Sequence, residues 1–225
     1  MAGLILIGFF ILSGLTISLF FLLGKQIGKF YIENIFIVGL AVTPVVAAYL
    51  TDLYPDMTSR IAPLIARIFA PLALLASVLY LIALVWSGIN ISENRDILIT
   101  FNLLLIAVMA IILFSLSDSE NLKIRKVQII ILLMLTSVTL IIDLFALHAI
   151  ITRLAGGITP NRAVVLLSNL LILIHLSLLM PGLYRAGFKG ETTASAVKMT
   201  AHYLPVYVAY ILLIIFVFPF IFGFR

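Results

Sequence analysis

The chain has 225 residues, of which 64% are hydrophobic and only 10% are charged, and its mean hydropathy is +1.30. A soluble domain has about 45–50% apolar and about 25% charged residues, so this composition excludes an ordinary water-soluble protein and indicates lipid as solvent. No cysteine is present, which excludes disulfides and thiol chemistry. The net charge is +5, but the sequence contains no basic run of about 5–8 residues of the kind that binds nucleic acid. The basic residues are therefore predicted to contact lipid headgroups, and no nucleic-acid partner is predicted.

Seven stretches are long enough for a helix to cross the hydrocarbon layer, which takes about 20 apolar residues. They are continuously apolar, which favours helices over the alternating strands of a membrane barrel. The first stretch lacks a basic leader and exceeds the about 7–15 apolar residues of a signal peptide, so it is interpreted as a span. The prediction is an all-α polytopic bundle forming a single transmembrane domain over residues 1–225. Its spans cover residues 2–23, 34–53, 68–88, 97–117, 127–151, 163–183 and 203–222.

A glycine-rich loop separates spans five and six. Gly156 and Gly157 are predicted to end span five, and Thr159 and Pro160 are predicted as the N-cap and first residue of the next helix. Because this loop is short, the two spans are expected to be antiparallel neighbours. The loops after spans two, four and six, which lie on the same side as the amino terminus, contain eight Lys and Arg residues, and the other side contains six. Because basic residues are more frequent on the cytoplasmic side, this difference predicts a cytoplasmic amino terminus.

Polar residues at membrane depth concentrate in spans five and six, where burial makes them costly and indicative of function. On span five, Thr136, Thr139 and Asp143 share one helical face. His148 lies about 140° round the helix from Asp143, so these two do not share a face. On span six, Asn161, Ser168 and His175 recur every seven residues and form one stripe, and Arg162 and Asn169 form the neighbouring stripe. The predicted polar seam comprises Asp143, His148, Ser168, Asn169 and His175.

Two interpretations of this seam remain open. In the first, Asp143 pairs with His175 or Asn169 to relay a proton or to coordinate a cation, a role suited to histidine. In the second, which the sparse intramembrane charge favours, these side chains join two helices at about 0.6–2 kcal/mol per hydrogen bond. Four prolines are candidate hinges in the manner of transporters. They are Pro44, Pro71, Pro205 and Pro219.

Aromatic side chains near span ends are predicted to form interfacial belts. They are Trp86, Tyr80, Tyr184, Tyr203 and Tyr207. Catalytic signatures are missing from the sequence: there is no HExxH, GxSxG or Walker-type loop. A retinal protein is excluded because span seven has no lysine for a Schiff base. No cofactor, metal site or catalytic residue is therefore predicted.

Three segments carry a family resemblance. They are the stretch from Ile142 to Arg185 with its core GITPNR at 157–162, the segment RIFAPLALLASVLYLIALVWSGI from Arg67, and the ending from Tyr203 to Phe224. Together they resemble bacterial membrane proteins of the domain-of-unknown-function family 4153, in particular Bacteroidetes-like sequences. The family has no established activity, so the resemblance implies a helical fold in a bacterial inner membrane and no mechanism.

The resemblance also directs attention to the start of span six. Thr159, Asn161 and Arg162 lie beside a helix N-terminus, where backbone amides favour anions. One hypothesis is that they bind a lipid phosphate or an acidic partner segment. The alternative, which is favoured, is that they only cap and anchor the helix.

The sequence as a whole favours a non-enzymatic scaffold, or the membrane subunit of a larger assembly, with membrane lipids and other membrane subunits as partners. The main alternative is a small transporter or channel that uses the seam between spans five and six. A third possibility is an intramembrane enzyme acting on lipid, with only Asp143, His148 and His175 as acid–base groups.

Overall fold

The computed structural model describes residues 2–24, 26–53, 61–87, 95–117 and 125–223 of the chain. All regular structure in these segments is helical, which confirms the predicted all-α class. The polar connections predicted between spans three and four and between spans four and five lie mostly outside the described residues.

The helices follow one another with short connections, as an apolar chain requires when it crosses a bilayer repeatedly. A π-helical turn, Ile32–Phe36, joins α2 to α3, so that these three segments form one rod. In chain order, the helices are α1 (Ala2–Leu22), α2 (Gly28–Tyr31), α3 (Ile37–Leu53), α4 (Ile61–Ser87), α5 (Arg95–Leu116), α6 (Lys126–Leu154), α7 (Pro160–Phe188), α8 (Ala194–Phe216) and α9 (Phe218–Ile221).

Six of these rods are long and apolar enough to cross a membrane within the described part of the chain. The apolar segment of α1, Ile5–Phe21, is shorter than the rest. Several helices extend beyond the limits of the predicted spans. The third span was expected to begin at 68, but α4 begins at Ile61, and the seventh was expected to begin at 203, but α8 begins at Ala194.

The boundary errors have one physical cause, because a charged side chain does not end a helix. Arg67 lies within α4, and its Nε donates a hydrogen bond to the carbonyl of Ser115, 3.3 Å away. Lys198 lies within α8 and is exposed, where its long side chain can extend toward water. Near the end of the seventh predicted span, α8 stops at Phe216, and after Val217 the short helix α9 continues to Ile221.

The centre of the bundle is formed by α4, α5, α6 and α7, which pack against one another. On α4, the buried side chains Ala70, Ala73 and Ser77 are small, which lets neighbouring helices approach closely in lipid. Tyr80 continues this face and is buried, with its ring edge-on to that of Phe101 at 5.6 Å. The prediction that Tyr80 belongs to an interfacial belt is therefore wrong.

Glycines bring α1 close to α4 and α3 close to α1. A side chain added at Gly8 of α1 would meet the ring of Phe69 on α4 at 2.9 Å, and one added at Gly39 of α3 would overlap the ring of Phe9. Both glycines thus allow an aromatic ring to lie directly on a helix backbone, which is a recurrent device of membrane helices.

Prolines interrupt these helices less than their number implies. Pro44, Pro71 and Pro205 lie inside α3, α4 and α8, which run through them, while Pro219 lies in the first turn of α9. In lipid, neighbouring helices and local adjustments compensate for the lost backbone hydrogen bond.

Candidate functional site

The α6–α7 hairpin positions the candidate site. Gly157 in the connecting loop has a φ of +106°, a backbone conformation that residues with a Cβ rarely adopt. Thr159 caps α7, with its hydroxyl accepting from the amide of Arg162 at 3.4 Å, and Pro160 begins the helix. These features confirm the predicted loop. As antiparallel neighbours, α6 and α7 form the most extensive helix–helix contact of the described chain.

One face of α6 carries its buried polar side chains. Thr136, Thr139 and Asp143 are 1% exposed or less, as their spacing predicts. The hydroxyls of the two threonines form hydrogen bonds within α6, donating to the carbonyls of Leu132 and Leu135 at 2.8 and 2.7 Å. Asp143 is therefore the polar group of this face that remains available to other helices.

On the neighbouring helix α7, Asn169 and His175 are also 1% exposed or less. Several atoms of these residues have no hydrogen-bond partner among the residues that the structure describes. They are both carboxylate oxygens of Asp143, the side-chain oxygen and nitrogen of Asn169, and Nε2 of His175. Buried polar groups are nearly always paired in proteins, so these five atoms on α6 and α7 mark the residues from which the candidate site is built.

Three tyrosines on α8 cover the polar groups of α7. The hydroxyl of Tyr207 lies 3.1 Å from Nδ1 of His175, and the ring of Tyr203 stacks on the imidazole with 4.5 Å between centroids. The hydroxyl of Tyr203 donates to the carbonyl of Leu171 at 3.0 Å. These contacts join α8 to α7.

The third tyrosine, Tyr210, meets α7 closer to its start. Its hydroxyl donates to the carbonyl of Val164 at 2.6 Å and lies 2.7 Å from that of Ser168. Ser168 is half-buried and also donates to the carbonyl of Val164 at 2.9 Å. Ser168 thus belongs to the contact between α7 and α8.

His148 does not join the other polar residues of the predicted seam. Its side chain is exposed on the surface of α6, whereas Asp143 is fully buried. The reason is the angle of about 140° that five residues subtend on a helix, so the inclusion of His148 in one cluster was wrong. We use the name buried cluster for the fully buried Asp143, Asn169 and His175 together with the two tyrosines that contact the imidazole, Tyr203 and Tyr207.

The sequence prediction missed the tyrosines as members of this site. Tyr203 and Tyr207 were assigned to an interfacial belt, but Tyr203 is buried and Tyr207 is half-buried against His175. The signal was present, because Tyr203, Tyr207 and Tyr210 follow the spacing of three and four that places side chains on one helical face. Trp86, by contrast, is 84% exposed at the end of α4.

A second polar site lies at the end of the bundle where α5 begins, α6 ends and α7 begins. A cavity of about 390 Å³ opens there, and its lining includes the three predicted residues Thr159, Asn161 and Arg162. Arg153 from the last turn of α6 and Asn102 from α5 also line it. We call it the two-arginine cavity.

The chemistry available in the buried cluster is that of a carboxyl, an imidazole, an amide and two phenols. Such groups exchange protons or bind a cation when they are accessible, and they join helices when they are sealed. Within the described segments, no group of three or more His, Asp or Glu side chains is placed to hold a metal ion.

The fold and the cluster together define the class of this molecule, which is a multi-pass integral membrane protein. Comparison of the chain with protein-family models, with curated proteins and with solved structures finds no match in any of the three. The resemblance to domain-of-unknown-function family 4153 therefore stays a prediction.

Proposed function

We propose that the protein is a non-enzymatic scaffold, or the membrane subunit of a larger assembly, in a bacterial inner membrane. The observation that carries this proposal is the sealing of the buried cluster. Asp143 and His175 are both fully buried, with Tyr203 and Tyr207 packed over the imidazole. A transport path would require that water or solute reach these groups. The bacterial location rests on the family resemblance.

The outer helices support a role in assembly. Among the described residues of α8, only Ala196 and Tyr203 are buried, so most of this helix faces lipid or the helices of a partner. Its outward face carries large apolar side chains such as Val208, Ile211 and Ile215. In lipid such a face contacts a partner helix as readily as it contacts acyl chains, because both are apolar.

The proposal is tested by native mass and by flux. Membranes solubilised in mild detergent are expected to contain the protein in a complex clearly larger than its own 24.8 kDa. Proteoliposomes of the purified full chain are expected to conduct protons and alkali cations no faster than empty liposomes. Asp143→Asn is expected to change stability or assembly only. Proton flux that Asp143→Asn abolishes in a folded protein would contradict the proposal.

A second candidate function, a small transporter or channel, is favoured by one specific observation. The carboxylate of Asp143, the amide of Asn169 and Nε2 of His175 lack hydrogen-bond partners in the described part of the chain, as a site for a proton or cation would. Opening this site would require α8 to move away from α7.

The same liposomes distinguish this candidate, provided that a matched control is included. Under the transport hypothesis, Asp143→Asn and His175→Gln abolish flux, whereas His148→Gln on the exposed side of α6 leaves it unchanged. Equal flux in all three variants would remove the buried cluster from the path and would exclude this candidate.

A further inference from the structure

The two-arginine cavity combines two cations with a polar rim. Its volume is about 390 Å³, and its polar lining residues are Asn102, Arg153, Thr159, Asn161 and Arg162. No acidic residue is among those described around it. A cavity of this composition is suited to an anion.

The two guanidinium groups keep donors available for such a ligand. Nη1 of Arg162 donates to the carbonyl of Gly157 at 2.7 Å, and a guanidinium has about five N–H donors in all. Neither Arg153 nor Arg162 forms an ion pair within the described part of the chain. Two like charges around one cavity repel each other. An anion between the two guanidinium groups attracts both of them and offsets that repulsion. Guanidinium groups match phosphate oxygens geometrically through paired hydrogen bonds.

The depth of the cavity in the membrane narrows the class of ligand. Helix α6 has 29 residues and is about 43 Å long at about 1.5 Å per residue, which exceeds the about 30 Å hydrocarbon layer. Arg153 in its last turn therefore lies at headgroup level. Ile150 and Val165, which also line the cavity, lie about one turn deeper than Arg153 and Arg162. The cavity thus has a cationic mouth and an apolar wall beneath it.

We infer that the two-arginine cavity binds a phosphate ester, with Arg153 and Arg162 as its charged ligands. The apolar wall favours a phospholipid, whose phosphate meets the arginines and whose first acyl carbons meet Ile150 and Val165. A soluble phosphate ester shares the same charged chemistry, and the experiment separates the two sources. This inference is independent of the proposed function, because it concerns a different end of the bundle.

The test measures binding to the purified full chain in detergent by native mass spectrometry. The probes are dioctanoyl phosphatidylglycerol as the lipid and glycerol 3-phosphate as the soluble ester. The variant is Arg153→Gln with Arg162→Gln. Its control is Lys189→Gln with Lys198→Gln. This variant removes the same charge from two exposed positions far from the cavity, one just after the end of α7 and one near the start of α8.

We expect the lipid to bind at least about tenfold more weakly to the arginine variant and within about twofold of wild type to the lysine variant, since each bidentate charged contact adds strongly to affinity. Tight binding of the lipid alone assigns the source as phospholipid. Equal binding of glycerol 3-phosphate, lost with the arginines, assigns a soluble ester. Equal weakening in the arginine and lysine variants, or no weakening in either, overturns the inference.

A second variant protects the test against misfolding. Arg153→Gln alone keeps the hydrogen bond from Arg162 to Gly157 that holds the loop, so it is expected to retain the wild-type circular dichroism and elution volume. Its affinity for the lipid should still be about threefold to tenfold lower than that of the wild type. Wild-type affinity in this folded variant would also overturn the inference.

Discussion

The contact between α7 and α8 makes a sharp prediction at Tyr207. Its hydroxyl lies 3.1 Å from Nδ1 of His175, while Nε2 of the same ring has no partner among the described residues. Tyr207→Phe therefore leaves the buried imidazole with neither nitrogen paired. A hydrogen bond between membrane helices contributes about 0.6 kcal/mol on average and about 1.7 at most, and an unsatisfied buried polar atom costs about 1–3 kcal/mol. We expect a loss of about 1–2 kcal/mol in the free energy of unfolding.

Tyr203→Phe is the matched control for this change. The hydroxyl of Tyr203 donates to the carbonyl of Leu171 at 3.0 Å, and that carbonyl lies inside α7, where the helix supplies its own hydrogen bond. The phenylalanine ring would keep the stacking on His175. No polar group is left unpaired, so we expect a loss of about 0.6 kcal/mol or less.

Reversible unfolding in mixed dodecylmaltoside and dodecylsulfate micelles, followed by circular dichroism, measures both variants. A double-mutant cycle that adds His175→Phe isolates the interaction of Tyr207 with the imidazole. If the two tyrosine variants lose the same stability, or if Tyr203→Phe loses more, then the pairing of His175 with Tyr207 does not stabilise the bundle and the reasoning fails.

Three further predictions concern local packing. Gly182→Ala should cost about 1–3 kcal/mol in the same unfolding assay, because the new Cβ would lie 3.1 Å from the backbone nitrogen of Ala196. The new Cβ of Gly14→Ala would have no atom within 4 Å, so this variant should leave the free energy of unfolding unchanged. An equal loss of stability in the two glycine variants would refute the close approach of α7 and α8. Thr159→Ala removes the N-cap of α7 and should cost about 0.5–1 kcal/mol; faster amide exchange in its first turn checks this, and unchanged exchange would contradict it. His148→Ala on the exposed side of α6 should stay within about 0.5 kcal/mol of wild type, and a larger loss would show that His148 contacts another element.

Much of the fold was predictable because lipid makes composition decisive. A continuous apolar run in α5 or α6 has only one stable form in a bilayer, since the helix satisfies its own backbone. The start of α7 was also predictable in detail, because Thr159 and Pro160 act locally through capping. Helix ends were less predictable. The predicted third and seventh spans begin after Arg67 and after Lys198, although each of these residues lies inside a helix.

The membership of the candidate site was only partly predictable. The burial of Asp143 follows from periodicity along one helix, and so does the separation of His148. The cover that α8 provides for His175 does not, because which helix packs against which is a tertiary property that one helix's periodicity does not encode. The tyrosines were assigned by their distance from the span ends, whereas their common face on α8 was the informative feature.

The dependence of α8 on α7 has a consequence for biosynthesis. This helix emerges from the ribosome after α6 and α7, and it packs mainly on α7. Until it arrives, the imidazole of His175 lacks the phenol of Tyr207 and faces acyl chains or the insertion machinery. Lipid gives apolar helices little reason to associate. The unpaired polar groups on the newly inserted α6–α7 hairpin therefore supply the attraction for α8, and insertion of this hairpin precedes its packing against α8.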